Sequence, residues 1–357
     1  MKNPRIIHKS LILAALMLFA SLVQAQNKRL EKNKAEIFRN LPGKGRVFID
    51  SDMAKINIST AKTDSLTVNV TVRFSGSSDD IIEEPYKNTS IEISREGNRF
   101  RVAVENNGPN SFEMIKIGSK TQYYKVETNI DISMPENYDL DVQGDFSSLV
   151  LNKLSGRFTS DMDHGKLDIG ELHHPENLIK GDYYRNSNIY FIKSGRIVSD
   201  FSRFNIGLTF NLVLNGDYTV CHIRRAKNLK VEGDFGKLNL ERIKSVYIAS
   251  DYRKINIKRP YVLYYSGDFS SLNIGEIPEH FKIWKLSGDY NRLTIANPRN
   301  VAFRYQIQKD DYTQVSIPGR KTEETGDDLI KINGYFKDPN APGQIIIRFE
   351  NGKILFK

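Results

Sequence analysis

Nine aspartates, Asp145, Asp163, Asp182, Asp200, Asp217, Asp234, Asp251, Asp268 and Asp289, follow one another at intervals of 17 to 21 residues. An aromatic stands directly after nearly every one: Phe146, Tyr183, Phe201, Tyr218, Phe235, Tyr252, Phe269 and Tyr290, with His164 after Asp163. Carboxylates repeated on neighbouring strands lie about 4.8 Å apart, and such a column has the oxygen ligands that Ca²⁺ takes. The simpler role is structural, each Asp capping its own turn as Asx turns do. Basic residues often stand three places on (Lys166, Arg185, Arg203, Lys237, Lys254, Arg292) and supply neutralising partners without metal. We therefore expect a structural turn column and no cofactor. The aromatic column is the candidate ligand platform: flat rings facing outward beside Asp and Arg suit sugar rings. Facing inward, the same rings fill a corner of the fold. Phe and Tyr interchange freely along the column, and Phe is poorly suited to full exposure, which favours the inward stack.

Other chemistry-bearing residues are sparse. His173 and His174 lie between Glu171 and Glu176, but adjacent His on a strand point to opposite faces, and no downstream ligand pattern follows. The only thiol, Cys221, sits at an apolar position of its repeat and reads as buried and inert. One Cys also excludes a disulfide-stapled scaffold and a multi-thiolate metal site. Acid-base work on a polysaccharide needs a carboxylate pair or a basic group in a cleft. A coil of about 17 residues without long insertions makes no deep cleft, so no catalytic residue is expected.

The elements that must position these columns follow from the repeat itself. Counting from each Asp, positions +4 and +6 are apolar in eight of the nine copies, as in Leu149/Leu151, Leu238/Leu240 and Leu293/Ile295. The copy at Asp182 breaks the rule with Asn186 and Asn188, which predicts a one-residue slip to Ile189 and Phe191. Positions −5 and −3 repeat the alternation, as in Leu212/Leu214 and Val246/Ile248. Each copy thus carries two short period-2 strands around a Gly-Asp or Ser-Asp turn. One hydrophobic face per repeat can be buried only against the repeats above and below. The expected fold is all-β: a parallel β-solenoid, or single-stranded β-helix, of about 17–18 residues per coil, with an N-terminal β-sheet start and a C-terminal β cap. An antiparallel meander of hairpins is the alternative. Further copies surround Asp52, an outlier in the sequence, and Asp310-Asp311-Tyr312, a worn one.

The sequence has 357 residues and a formal net charge of +9. Residues 1–25 read as a secretory signal peptide: Lys2, Arg5 and Lys9 precede the apolar run Leu11 to Ala20, and Val23-Gln24-Ala25 offers small residues at the cleavage site. The leader carries three of the nine charges. The remaining basic residues are scattered among acids without a dense run, so no nucleic-acid partner is expected. No later segment is apolar enough to span a membrane as a helix. Residues 26–44 read as a charged linker, 45–142 as a β-sheet region leading into the solenoid with a loop from Ser75 to Asn88, and 143–317 as the repeat solenoid. Residues 318–357 read as a hairpin cap in which Asn351-Gly352 supplies the positive φ values of a tight turn. The product is expected to be exported, to the periplasm, the outer surface or the medium.

The stretch Tyr124 to Pro135, then Tyr138-Asp139-Leu140-Asp141-Val142-Gln143-Gly144-Asp145, is an alternating strand, a Pro and a turn leading into Gly-Asp units. In this it resembles the putative-adhesin β-strand-repeat family of exported bacterial proteins, related to the head domains of auto-transporter adhesins. The resemblance spans roughly residues 45–317 and implies a β-solenoid outside the inner membrane, with no catalytic residues to carry over. The aromatic after nearly every Asp departs from the family pattern. The reading is a non-enzymatic exported β-solenoid, adhesin-like or a structural or interaction protein of the cell envelope, whose partner is unknown, with a surface glycan or an envelope protein as candidates. The alternatives are a carbohydrate-active β-helix enzyme (a polysaccharide lyase or hydrolase) and a periplasmic signalling partner.

Overall fold

The computed structural model describes residues 28–106, 112–117, 120–296, 301–326 and 329–357; the expected leader lies outside them. Each copy of the repeat forms one rung of a single large sheet, mostly parallel and not closed into a barrel. In the middle of the chain one strand runs from each turn to the next: Arg203–Asn215, Val220–Glu232, Lys237–Ala249 and Lys254–Ser266. Each pairs in parallel with its successor at a register of one repeat, Phe204 beside Cys221, Cys221 beside Leu238, and Leu238 beside Ile255. Like therefore stacks on like, and the antiparallel meander is excluded.

Alternation sets what is buried. In the rung that starts at Asp217, Cys221, Ile223, Leu229 and Val231 all point into the core, joined by Ala226 midway along the strand. Equivalent side chains from Val47 to Ile354 form one continuous apolar cluster. The slip at Asp182 is real but differently seated. Asn186 takes a left-handed φ of 47° and adds a residue to the turn, so Ser187 and Ile189 stack beside Phe204 and Ile206. Phe191, expected inside, stands beside Leu208 instead and is half-buried.

The copy at Asp52 is an outlier only in sequence. Its strands Arg46–Ser51 and Ala54–Ala61 pair in parallel with Asp139–Gln143 and Ser148–Leu154, which makes it the rung before Asp145. The segment expected as a charged linker is largely strand. Lys28–Phe38 pairs antiparallel with Leu66–Gly76 along its whole length; its dense charge suits an outermost strand, which must discourage further pairing. The loop expected at residues 75–88 contains a helix, Asp79–Asn88, with Asp79 and Asp80 in its first turn and Ile82 and Pro85 buried. Acids at a helix N-terminus are favoured by its dipole.

The hairpin expected to turn at Asn351-Gly352 is not formed. Gln344–Glu350 and Lys353–Phe356 do not pair with each other; both run parallel between rungs on either side. The first lies between Ile283–Asp289 and Phe303–Lys309, and the second between Arg292–Ile295 and Gln314–Ser316. Residues 344–356 are thus one more rung, with Glu350 in place of the Asp and Asn351, at φ 51°, in place of the aromatic. A hairpin turn and the corner of this repeat both demand positive φ, so Asn-Gly serves either. Beyond the Asp310 rung, Ile330–Phe336 and Arg320–Thr325 add antiparallel strands.

Candidate functional site

The turn of every rung is built by three adjacent residues with separate tasks. The residue after the Asp adopts the left-handed conformation: φ lies between 50° and 60° at Phe146, His164, Tyr183, Phe201, Tyr218, Phe235, Tyr252, Phe269 and Tyr290. Such a backbone is costly for a residue with a Cβ. The residue before the Asp is often a glycine for a different reason. At Gly233 (φ 105°) an added Cβ would run into the carbonyl of Gly216 one rung below.

The Asp column is a ladder between rungs. Each carboxylate accepts the backbone N–H of the next rung's Asp: Asp200 N to Asp182 Oδ1 at 2.8 Å, Asp217 N to Asp200 Oδ1 at 2.7 Å, and Asp234 N to Asp217 Oδ1 at 2.7 Å. The series runs unbroken from Asp52, which receives Asp145 N, through Asp163, Asp251 and Asp268 to Asp289. This corrects the expected capping of each Asp's own turn, which among the described copies of the repeat occurs in the worn one, where Asp310 Oδ1 receives Thr313 N at 2.9 Å. Nor do the basic residues three places on neutralise the column. Lys166, Arg185, Arg203, Lys237, Lys254 and Arg292 are exposed, and among the described residues none forms an ion pair with it.

The aromatic column points outward, against the expected inward stack. Phe146 is 56% exposed and Tyr290 54%; Phe235 is half-buried. Parity reverses at the turn, so the inward corner is taken by the following residue (Ser147, Tyr184, Ser202, Thr219, Arg253, Ser270, Asn291), all buried. The rings nevertheless stack on one another without a gap. Phe201 and Tyr218 lie 4.8 Å apart at 3°, Tyr218 and Phe235 4.5 Å at 5°, and Tyr252 and Phe269 4.9 Å at 1°. His164 carries the stack between Phe146 and Tyr183 at 4.6 Å on each side. Along its length the column therefore offers ring edges to solvent, while the faces meet each other.

The remaining candidates do not converge. His173 Nε2 bonds to Glu171 Oε2 at 2.7 Å, while His174 Nδ1 accepts the N–H of Glu176. Among the described residues no cluster of His, Cys, Asp or Glu is arranged to hold a metal. Cys221 is fully buried, and burial pushes its thiol up to about 12. Sequence reading missed two further features. Arg253 is 2% exposed, donating to Phe235 O at 2.7 Å and Gly216 O at 2.9 Å, and burial lowers its pKa. Side-chain amides form ladders as well: Asn256 to Asn239, Asn273 to Asn256 and Asn228 to Asn211. The recurrence of Asn at +5 in the first two pairs and at +11 in the third was the available signal.

No family model matches the chain, and no curated protein matches it. Similar solved structures include a putative cell adhesion protein from Clostridium sporogenes, 13% identical, covering 92% of this chain and 99% of that one with a TM-score of 0.19. A putative adhesin from Parabacteroides merdae is 8% identical over 92% and 96%, with a TM-score of 0.32. A putative lipid binding protein from Parabacteroides distasonis is 10% identical over 91% and 97%, with a TM-score of 0.27. Among the described residues no helix is long and apolar enough to cross a membrane.

Proposed function

We propose that this chain is an exported, non-enzymatic β-solenoid that works as an adhesin-like or cell-envelope interaction rod. The observation that carries the reading is repetition in register. Acid, ring and amide columns recur rung after rung on the outside, at the pitch of the parallel ladder. A catalytic constellation is needed once. A surface that repeats suits a repeating partner, along which individually weak contacts act together. In this reading the Asp and ring columns fix the pitch of the rod, and its other edges meet the partner. The test is binding and turnover measured side by side. The purified chain from residue 26 is expected to be retained on glycan arrays or envelope extracts and to release no product from acidic polysaccharides. Turnover abolished by Asp217→Asn alone would replace the reading with a carbohydrate-active enzyme. The double variant Tyr218→Ala/Tyr252→Ala is expected to melt lower yet keep its binding; loss of binding at an unchanged melting temperature would make the ring column the ligand platform.

A further inference from the structure

Half a repeat away from the Asp turn, the register gathers side chains of another kind. Arg225, Arg242 and Arg259 stand side by side in one column across three rungs, all exposed. Lys227 and Lys244 lie two residues after it, and Arg224 and Lys258 one residue before it, also exposed. Among the described residues the one acid bonded to this group is Glu276, which pairs with Arg259; Glu241 is held by His222 at 3.0 Å instead. Like charges directly opposite across strands destabilise a sheet. At a rung spacing of about 4.8 Å these charges also lie well within a Debye length of ~8 Å at physiological salt. A cost repeated over three rungs calls for a counter-charge, which the described residues supply by an ion pair only at Arg259.

The same edge turns aromatic on the preceding rungs. Tyr190 is 68% exposed and Phe210 43%, and Tyr261 stands at the other end of the cations. Unlike the stacked column, Tyr190 and Tyr261 have no ring partner among the described residues, so no other aromatic covers their faces. Between Tyr190 and Arg224 runs a shallow groove of about 390 Å³, lined also by Asn188, Asn205, His222 and Asp168. The two amides are aligned by a hydrogen bond of 3.1 Å.

We propose that this edge binds an extended polyanionic glycan. An exposed Tyr ring takes a sugar ring, the amides and His222 take hydroxyls, and the guanidinium groups take carboxylate or sulfate in the two-pronged geometry for which Arg is suited. Each rung advances about 4.8 Å, close to the advance of one sugar along an extended chain, so successive arginines meet one charge per sugar. A lipid surface would use neither the amide groove nor a ridge this narrow. Duplex DNA would have no use for exposed rings flanking the cations. The inference rests on the reading of the chain as an interaction rod, and it names the surface and the partner.

The test uses polygalacturonate (carboxylate) and dextran sulfate (sulfate) as probes, with neutral dextran, phosphatidylglycerol vesicles and duplex DNA as comparisons. Binding to at least one anionic glycan is expected, and which one identifies the anion. Arg225→Ser/Arg242→Ser should weaken it tenfold or more and flatten its salt dependence. Tyr190→Ala should weaken it several-fold with the salt dependence unchanged, a loss that charge alone would not produce. Tyr190→Ala should melt like the parent, and Arg225→Ser/Arg242→Ser no lower than the parent, since it dilutes a column of like charges. Equal retention of DNA or vesicles, or indifference to Tyr190→Ala, overturns the proposal. No binding to either probe, with retention on envelope extracts intact, overturns the proposal alone; loss of both kinds of retention removes the interaction-rod reading with it.

Discussion

Arg253 is the residue at which the repeat departs furthest from its own pattern. Its position in most other rungs is held by Ser, Thr or Gly, with Tyr184 and Asn291 the other large side chains, and the neighbouring rung has Gly236 there, which leaves room for a long side chain. The guanidinium is held by the carbonyls of Phe235, Gly216 and Asp234. Arg253→Ala opens a cavity and leaves those carbonyls without a donor, and is expected to cost about 3 kcal/mol, read from urea midpoints. Arg253→Met refills the volume without restoring donors and should fall between. Cys221 makes a pH prediction. Its thiol stays protonated in the fold up to about 12 but ionises from its ordinary value of 9.0 when unfolded. Between those values the unfolded chain holds fewer protons, so stability is full below pH 9 and declines as pH rises toward 12, by at most ~1.4 kcal/mol per pH unit. Tyr184 and Tyr265, raised by burial, act in the same direction at higher pH. Urea midpoints from pH 8 to 11 should fall, and Cys221→Ala should flatten the first part of that fall.

At the scale of the turn and its strands, the ring stack and the backbone strain oppose each other. A left-handed residue with a Cβ costs about 1–2 kcal/mol, and a stacked aromatic pair returns about 0.5–1.5 kcal/mol; each interior ring has two partners. Tyr218→Ala keeps the strain and loses both stacks, whereas Tyr218→Gly loses the stacks and the strain together. Melting temperatures are therefore expected to rank Tyr above Gly above Ala; Gly at or above Tyr would mean that stacking does not offset the strain. Asp217→Ala should lower stability by about 1 kcal/mol by freeing the Asp234 amide, while Asp217→Asn keeps an acceptor and dilutes a column of like charges. The rung, its buried positions and the identity of both columns were legible in the sequence because alternation and constant spacing report side-chain parity. Parity through the turn was not. One left-handed residue reverses it, which sent the rings outward and the next residue, Ser147 or Arg253, inward. The carboxylate's acceptance of a neighbouring rung's amide was equally hidden, since an Asx cap and a rung-to-rung cap leave the same Asp in the sequence. The arginine column was hidden for a related reason: three cations 17 residues apart look scattered until the register stacks them.

Across the whole molecule, the order of rungs along the sheet differs from their order in the chain. The last residues fill the space between the Asp289 and Asp310 rungs, so a segment from 303 to 316 finds its parallel neighbour only once residues 344–356 are in place. The start is tied in the same way: the Asp52 rung meets the Asp145 rung across more than ninety intervening residues. Central rungs contact successors 17 residues away, and stability in such arrays is close to a sum of nearest-neighbour terms. The two ends depend on distant closure, which is slow to form. Deleting residues 344–357 removes both parallel partners of the Asp310 rung's inner side and bares the edge of Ile283–Asp289, an unprotected template for another chain. The truncated protein is expected to self-associate in size-exclusion chromatography and to lose amide protection from about residue 283 onward, while residues 187–266 keep theirs. Removing residues 1–44 is a milder change, because among the described residues the strand Lys28–Phe38 pairs on one side only and its partner Leu66–Gly76 stays paired with Lys120–Pro135. If the chain lacking 344–357 stays monomeric with its melting curve unchanged, the inserted rung is not what closes that end.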